Sequence, residues 1–324
     1  MNKQKHALEN HLLFKHIIYD SRRKNRSRYI VLQKEKRPRK ILIKGSPYIM
    51  TAGDKGEIQL LRDYSVYIED SKIKALYPAG KEEVAVRELD LIYDAGTRGG
   101  IVLTPGFINA HAHPTMYLMR SAMVLDYGQD LDETIKKMPL WQKHITGFTT
   151  TVSALGDLTE QQRSGITTTL NHNAVFEEVD EAADMCHQRV VNCVSAISNS
   201  QPTATLARVK RYMNAGGRRA LSSAGVAIHY LYKVNRHLLT DIQRLQKETG
   251  ALLTIHFAES KGVVEMCEKR AGMRETALLE QYGLLNPHTL LSHVLHVTNE
   301  EIKKLVHSGV GIVHLPTSNT LHKS

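Results

Sequence analysis

The sequence predicts an α/β fold: a TIM-type (β/α)8 barrel lacking its eighth strand, preceded by the N-terminal half of a β-sandwich module. Three observations predict it. From about residue 105 onward, apolar or β-branched runs alternate with amphipathic stretches, the rhythm of a parallel sheet with crossover helices. Histidines stand at the ends of several of those runs, where such barrels gather their chemistry. Ahead of them, short β-rich runs follow one another between turn residues, without helical spacing.

In chain order, residues 1–38 form a basic extension. Within residues 1–40 stand 13 of the 43 Lys and Arg and 3 of the 33 Asp and Glu, so these residues carry the whole net charge of +10. The remainder is balanced, and no aromatic ladder or helix-turn-helix pattern supports a nucleic-acid partner. The extension is expected to be solvated and disordered.

Residues 39–104 are the small β module. Lys40–Lys44, Ser65–Glu69 and Lys72–Leu76 read as strands, with Asp70-Ser71 as a tight turn. Leu91-Ile92-Tyr93 and then Gly96, Gly99 and Gly100 lead into the apolar run Ile101–Thr104. That run is read as one strand with the His111-Ala112-His113 that follows it.

Residues 105–324 are the barrel, strands one to seven. After the His-x-His strand come Gly165–Leu170, Val190–Ile197, Gly225–Leu231, Ala251–Phe257, Thr289–His293 and Val310–His314. Between them lie amphipathic stretches such as Leu238–Glu248, with Leu238, Leu239, Ile242 and Leu245 at helical spacing.

Side chains alternate along a strand, so His111 and His113 project to one side and can share a metal ion. Alone, the pair is equally a buried structural histidine beside an exposed one. His229, His256, His293 and His314 then close the fourth to seventh runs, all opening on one barrel face. Five successive placements are hard to ascribe to chance. Glu259, three residues after His256, reaches the same mouth if the strand ends near Phe257. A carboxylate there can move a proton, and it equally suits the first turn of a helix.

The motifs PGFINAHAHP (105–114), RSGITTT (163–169), HYLYKV (229–234), HFAE (256–259), LLSHVLHVTNEEI (290–302) and HLPTSN (314–319) occur in this order. In them the chain resembles the amidohydrolase superfamily, in particular its branch of heterocycle deaminases and chlorohydrolases. The resemblance implies one divalent metal ion, zinc in the first place and iron as the alternative, on His111, His113 and His256. It implies Glu259 as the proton-transferring residue and His293 as the histidine that orients water and stabilises an oxyanion. His229, Tyr232 and Asn319 fall at substrate-contacting positions. The implied activity is hydrolysis of a non-peptide C–N bond, most of all deamination of a nucleobase-like heterocycle.

The sequence departs from that family in two places. The family's aspartate at the end of strand eight has no counterpart, since the last aspartate is Asp241. A truncated version of a longer protein is therefore expected, metal-binding at best and poorly active or inactive alone. The segment Asp126–Trp141 does not match the family's substrate-reading cluster. Tyr117, Arg120, Trp141 and Asn171-His172-Asn173 are candidates to line a pocket.

The alternatives are a catalytically inactive fragment or pseudoenzyme, and a chlorohydrolase or cyclic-amide hydrolase. The last usually carries a lysine where this chain has His229. Three cysteines make no disulfide framework or Cys-x-x-Cys knuckle, and no apolar run approaches the ~20 residues of a membrane helix. A cytoplasmic protein with a small heterocyclic substrate and no membrane partner is expected, with a homo-oligomer left open.

Overall fold

The computed structural model describes residues 38–53, 56–98, 101–120, 137, 140, 143–173, 175, 177–195, 206–214, 221–322 and 324. Residues 1–37, nearly all of the basic extension, and most of Asp126–Trp141, Trp141 included, lie outside the described residues. The chain forms two compact units and passes from the first to the second at Pro105–Gly106.

The first unit is a five-stranded sheet. Strand β1 (Lys40–Ala52) pairs antiparallel with β2 (Ile58–Glu69), which pairs antiparallel with β3 (Lys72–Pro78). Strands β4 (Leu91–Asp94) and β5 (Val102–Leu103) lie parallel to β1. Asp70 and Ser71, at φ 49° and 66°, make the turn between β2 and β3. Two left-handed central residues match the twist of the flanking strands. Among the described residues, Leu42, Ile49, Val66 and Ala95 are the unit's buried apolar side chains.

The structure corrects the reading of Ile101–Thr104. That run is not the beginning of the His-x-His strand; its strand, β5, belongs to the first sheet. A separate strand, β6 (Phe107–Ala112), follows the break at Pro105-Gly106. Proline brings no N–H to a ladder, and a Cβ on Gly106 would lie 2.2 Å from the Thr167 side chain.

The second unit is a parallel sheet in the order β12-β11-β10-β9-β8-β7-β6. After β6 come β7 (Ile166–Asn173), β8 (Arg189–Ser195), β9 (Ser222–Ile228), β10 (Leu253–Phe257), β11 (Thr289–His293) and β12 (Gly311–Val313). Strands β6 and β10 stand four places apart, roughly 19 Å in a flat sheet. Yet His111 of β6 and His256 of β10 bring their Nε2 atoms to 3.1 Å. The sheet therefore curls into a nearly closed barrel of seven strands, the fold class expected.

Helices α1 (Phe148–Arg163), α2 (Glu177–Cys186), α3 (Leu206–Asn214), α4 (Arg236–Thr249), α5 (Lys261–Ala271), α6 (Glu275–Gln281), α7 (Asn299–Ser308) and α8 (Pro316–Leu321) intersperse the strands. Three of them are bounded as sequence chemistry requires. Asn235, Ser260 and Thr298 accept N-terminal N–H groups of α4, α5 and α7, and Gly250, Gly272 and Gly309 end them in the left-handed conformation. The main core lies where α4, α5 and α6 meet β9 to β11, among Ile228, Leu239, Ile242, Leu253, Ile255, Phe257, Leu279 and Leu291. Each such side chain contributes about 1.5–3 kcal/mol by leaving water.

Candidate metal and catalytic site

His111 is in β6, and His113 follows it at the start of a 3-10 turn, Pro114–Met119. His256 is the fourth residue of β10 and faces both across the barrel. Its Nε2 stands 3.1 Å from His111 Nε2 and 3.3 Å from His113 Nε2.

The other ring nitrogens are all held. His113 Nδ1 donates to the His172 carbonyl (2.7 Å) and His256 Nδ1 to the His229 carbonyl (3.0 Å). His111 Nδ1 meets Ser292 Oγ at 2.8 Å. A carbonyl only accepts, so His113 and His256 carry their protons on Nδ1 and turn bare lone pairs toward each other.

Burial keeps these rings neutral. It pushes His113 down to about 4, and it drives His111 and His256 well below the usual histidine range, with neighbouring imidazoles adding to it. Two lone pairs 3.3 Å apart with no proton between them repel. A cation among the three nitrogens removes that repulsion. Metal–nitrogen bonds of about 2.0–2.1 Å in tetrahedral geometry give nitrogen separations of roughly 3.3–3.4 Å. The three residues fit a metal ion, and their outer hydrogen bonds orient them as ligands are oriented.

Beside the trio lies a chain of proton-bearing groups. Glu259 is buried, and its Oε1 stands 3.2 Å from His293 Nε2. Its Oε2 accepts the Tyr230 hydroxyl at 2.9 Å. His293 Nδ1 in turn donates to Asn319 Oδ1 at 2.8 Å. With Nδ1 so engaged, a neutral His293 would present a lone pair to a carboxylate, so this contact is attractive when one proton is shared across it.

The local backbone is strained to achieve this. Ala258, His293 and Val294 adopt φ of 46°, 77° and 55°, the left-handed region, at about 1–3 kcal/mol each. The turn is over-determined: Ala258 N–H donates to buried Glu275 (2.7 Å), Val294 N–H to the Phe257 carbonyl, and both Leu295 and His296 N–H to the Ala258 carbonyl. That turn brings Glu259 to the same mouth as His256.

Of the substrate-contact candidates, His229 follows β9 with its ring 4.5 Å from that of His256. Burial, with His113 and Lys233 nearby, pushes it down to about 3. Tyr232 stacks on Tyr230 at 5.3 Å between centroids. Asn319 is buried against His293. His314 is exposed and, among the described residues, makes no ring contact with the cluster. Tyr117 and Arg120 bond Glu160 of α1, at 2.7 and 2.8 Å.

Sequence reasoning passed over Ser292, Tyr230 and Glu275. Ser292 pairs with His256 across neighbouring strands, and its place beside His293 was the available signal. Glu275 is remote in sequence and carried none.

The sequence profile of the amidohydrolase family matches residues 102–324. A 5-methylthioadenosine/S-adenosylhomocysteine deaminase of Moorella thermoacetica is 30% identical over 294 residues, covering 86% of this chain and 64% of that protein. Its counterpart from Thermococcus sibiricus is 27% identical over 267 residues, covering 78% and 59%. The chain thus spans less than two thirds of the length of these relatives.

Among solved structures, a triazine hydrolase from Arthobacter aurescens superposes with a TM-score of 0.76 at 19% identity, over 88% of this chain and 67% of that one. An adenosine deaminase from Xanthomonas campestris with bound zinc gives 0.72 at 20%, over 88% and 64%. These structural likenesses speak for the fold. The profile, running from β5 through the last described residue, decides the kinship: this chain belongs to the amidohydrolase family.

Proposed function

We propose that the site performs metal-dependent hydrolysis of a C–N bond other than a peptide bond, replacing an amino group on a nucleobase-like heterocycle by oxygen. The observation that carries this reading is the convergence of three histidine Nε2 atoms beside a buried carboxylate that stands 3.2 Å from His293 Nε2. Deaminases acting on methylthioadenosine and adenosylhomocysteine among the relatives support the substrate class.

His111, His113 and His256 hold the ion, with zinc as the metal; a three-nitrogen set suits it, and iron is the alternative. The chemistry such an ion supplies when bound is Lewis-acid activation of water, whose pKa falls to near neutrality. Glu259 takes a proton from the attacking water and gives it to the ring nitrogen next to the attacked carbon. A further proton transfer through the Glu259–His293 pair lets the amino group depart as ammonia. Tyr230 and His293 hold the two carboxylate oxygens in place, and Asn319 fixes the His293 tautomer. His229 and Tyr232 contact the heterocycle. A cytoplasmic setting suits the three free cysteine thiols.

The test is ammonia release by the 324-residue chain loaded with zinc, on adenosine, S-adenosylhomocysteine, 5′-methylthioadenosine and guanine. Chelator-sensitive release from at least one is expected. Glu259→Gln should lower it ~10²–10⁴-fold, as loss of a general acid–base does, with zinc content unchanged. Full zinc content without ammonia from any of the four would favour instead a metal-binding chain without turnover.

A further inference from the structure

His172, at the seventh position of β7, is 1% exposed, and neither of its ring nitrogens has a hydrogen-bond partner. A neutral imidazole has one donor and one acceptor, so burying it with both unmet is unfavourable, and native interiors avoid it. The flanking asparagines each place their Nδ2, though Asn171 Oδ1 also has no partner. Asn171 Nδ2 donates to Asn192, and Asn173 Nδ2 donates to Thr115. The His172 backbone is also fixed, because its carbonyl takes the His113 proton. Its ring lies 4.3 Å from that of His256 and 5.8 Å from that of His229, between centroids.

One nitrogen from each of His172, His229 and His256 lies within 4.8 Å of the other two. We propose that these three residues form a second position for a divalent first-row metal ion, filled in alternation with the position at His111, His113 and His256. Three neutral imidazoles are a competent donor set for zinc, cobalt or nickel. Alternation follows from His256, the residue common to both sets. Its Nδ1 is committed to the His229 carbonyl, so only Nε2 is free, and one lone pair serves one ion. This goes beyond the proposed reaction and shares only His256 with its metal site.

The probe is Co(II), titrated into the full chain with metal counted by mass spectrometry and visible bands recorded, and folding checked by circular dichroism. Wild type should bind one ion. His111→Ala should still bind one, with shifted bands, and His172→Phe should bind one. The double variant should bind none. A folded His111→Ala chain that binds none would overturn the proposal, as would a double variant that binds like His111→Ala. Two ions on the wild type would overturn the alternation. Should His111→Ala not fold, His113→Ala removes the first set from its other side and is read the same way. His172→Phe binding none while His111→Ala binds one would uphold the second position and sink the first, so the two failures are distinguishable.

Discussion

Strands β10 and β12 read alike in sequence: an apolar run, a histidine, then another apolar residue. They end differently. All five residues of β10 are buried, and the strand pairs with β9 on one side and β11 on the other. Among the described residues β12 pairs with β11 alone; Ile312 is 54% exposed and His314 is exposed. His256 sits at the centre of the cluster, and His314 does not join it. What separates the two is where the ring ends up: His256 is buried with its Nδ1 proton taken by the His229 carbonyl just after the neighbouring β9, whereas His314 lies exposed just after β12.

The sharpest test of that contrast is at the two histidines. His256→Ala should abolish metal binding, because both candidate sets depend on it, while His314→Ala should leave stoichiometry at the wild-type value. Metal analysis after dialysis checks both, and equal losses would break the comparison. Next in size is packing. Ile255→Ala should cost ~2–5 kcal/mol in chemical denaturation, the usual range for a fully buried isoleucine. Ile312→Ala should stay within about 0.5 kcal/mol.

The smallest effect concerns the Glu275 prop beneath the turn after β10. Burial raises its carboxyl to about 8, against 4.5 ordinarily, with the Ala258 N–H and Arg274 pulling it back in part. The folded chain then holds more protons than the unfolded one between those values. The stabilisation is fully present below about 4.5 and lost as pH rises through about 8. Denaturation midpoints at pH 5, 7 and 9 should fall for the wild type, by energies on the order of 1–3 kcal/mol. Glu275→Gln, neutral throughout, should show a flatter profile; parallel profiles would remove Glu275 from the account.

Much of the barrel was legible because strand and helix leave different periods, as in Leu238–Glu248, which the structure extends by two residues at the start and one at the end to reach its Asn235 and Gly250 caps. The trio could be located because histidines at strand ends are few and ordered. The break at Pro105-Gly106 was written in the sequence but misjudged, since periodicity across Ile101–Thr104 does not reveal which sheet a strand joins. Which tyrosine reaches Glu259 depends on a 3-10 turn, Leu231–Lys233, whose geometry periodicity cannot supply: Tyr230 makes the bond, and Tyr232, singled out by resemblance, stacks behind it. Glu275 lay beyond reach because a contact from Glu275 to Ala258 is tertiary, formed only after both turns are in place.

The acceptors that set the tautomers of His113 and His256 are main-chain carbonyls, at residues 172 and 229. Every amino acid supplies that oxygen. A change of side chain at those two positions would therefore reshape the pocket and remove the second metal position while His113 and His256 keep facing inward.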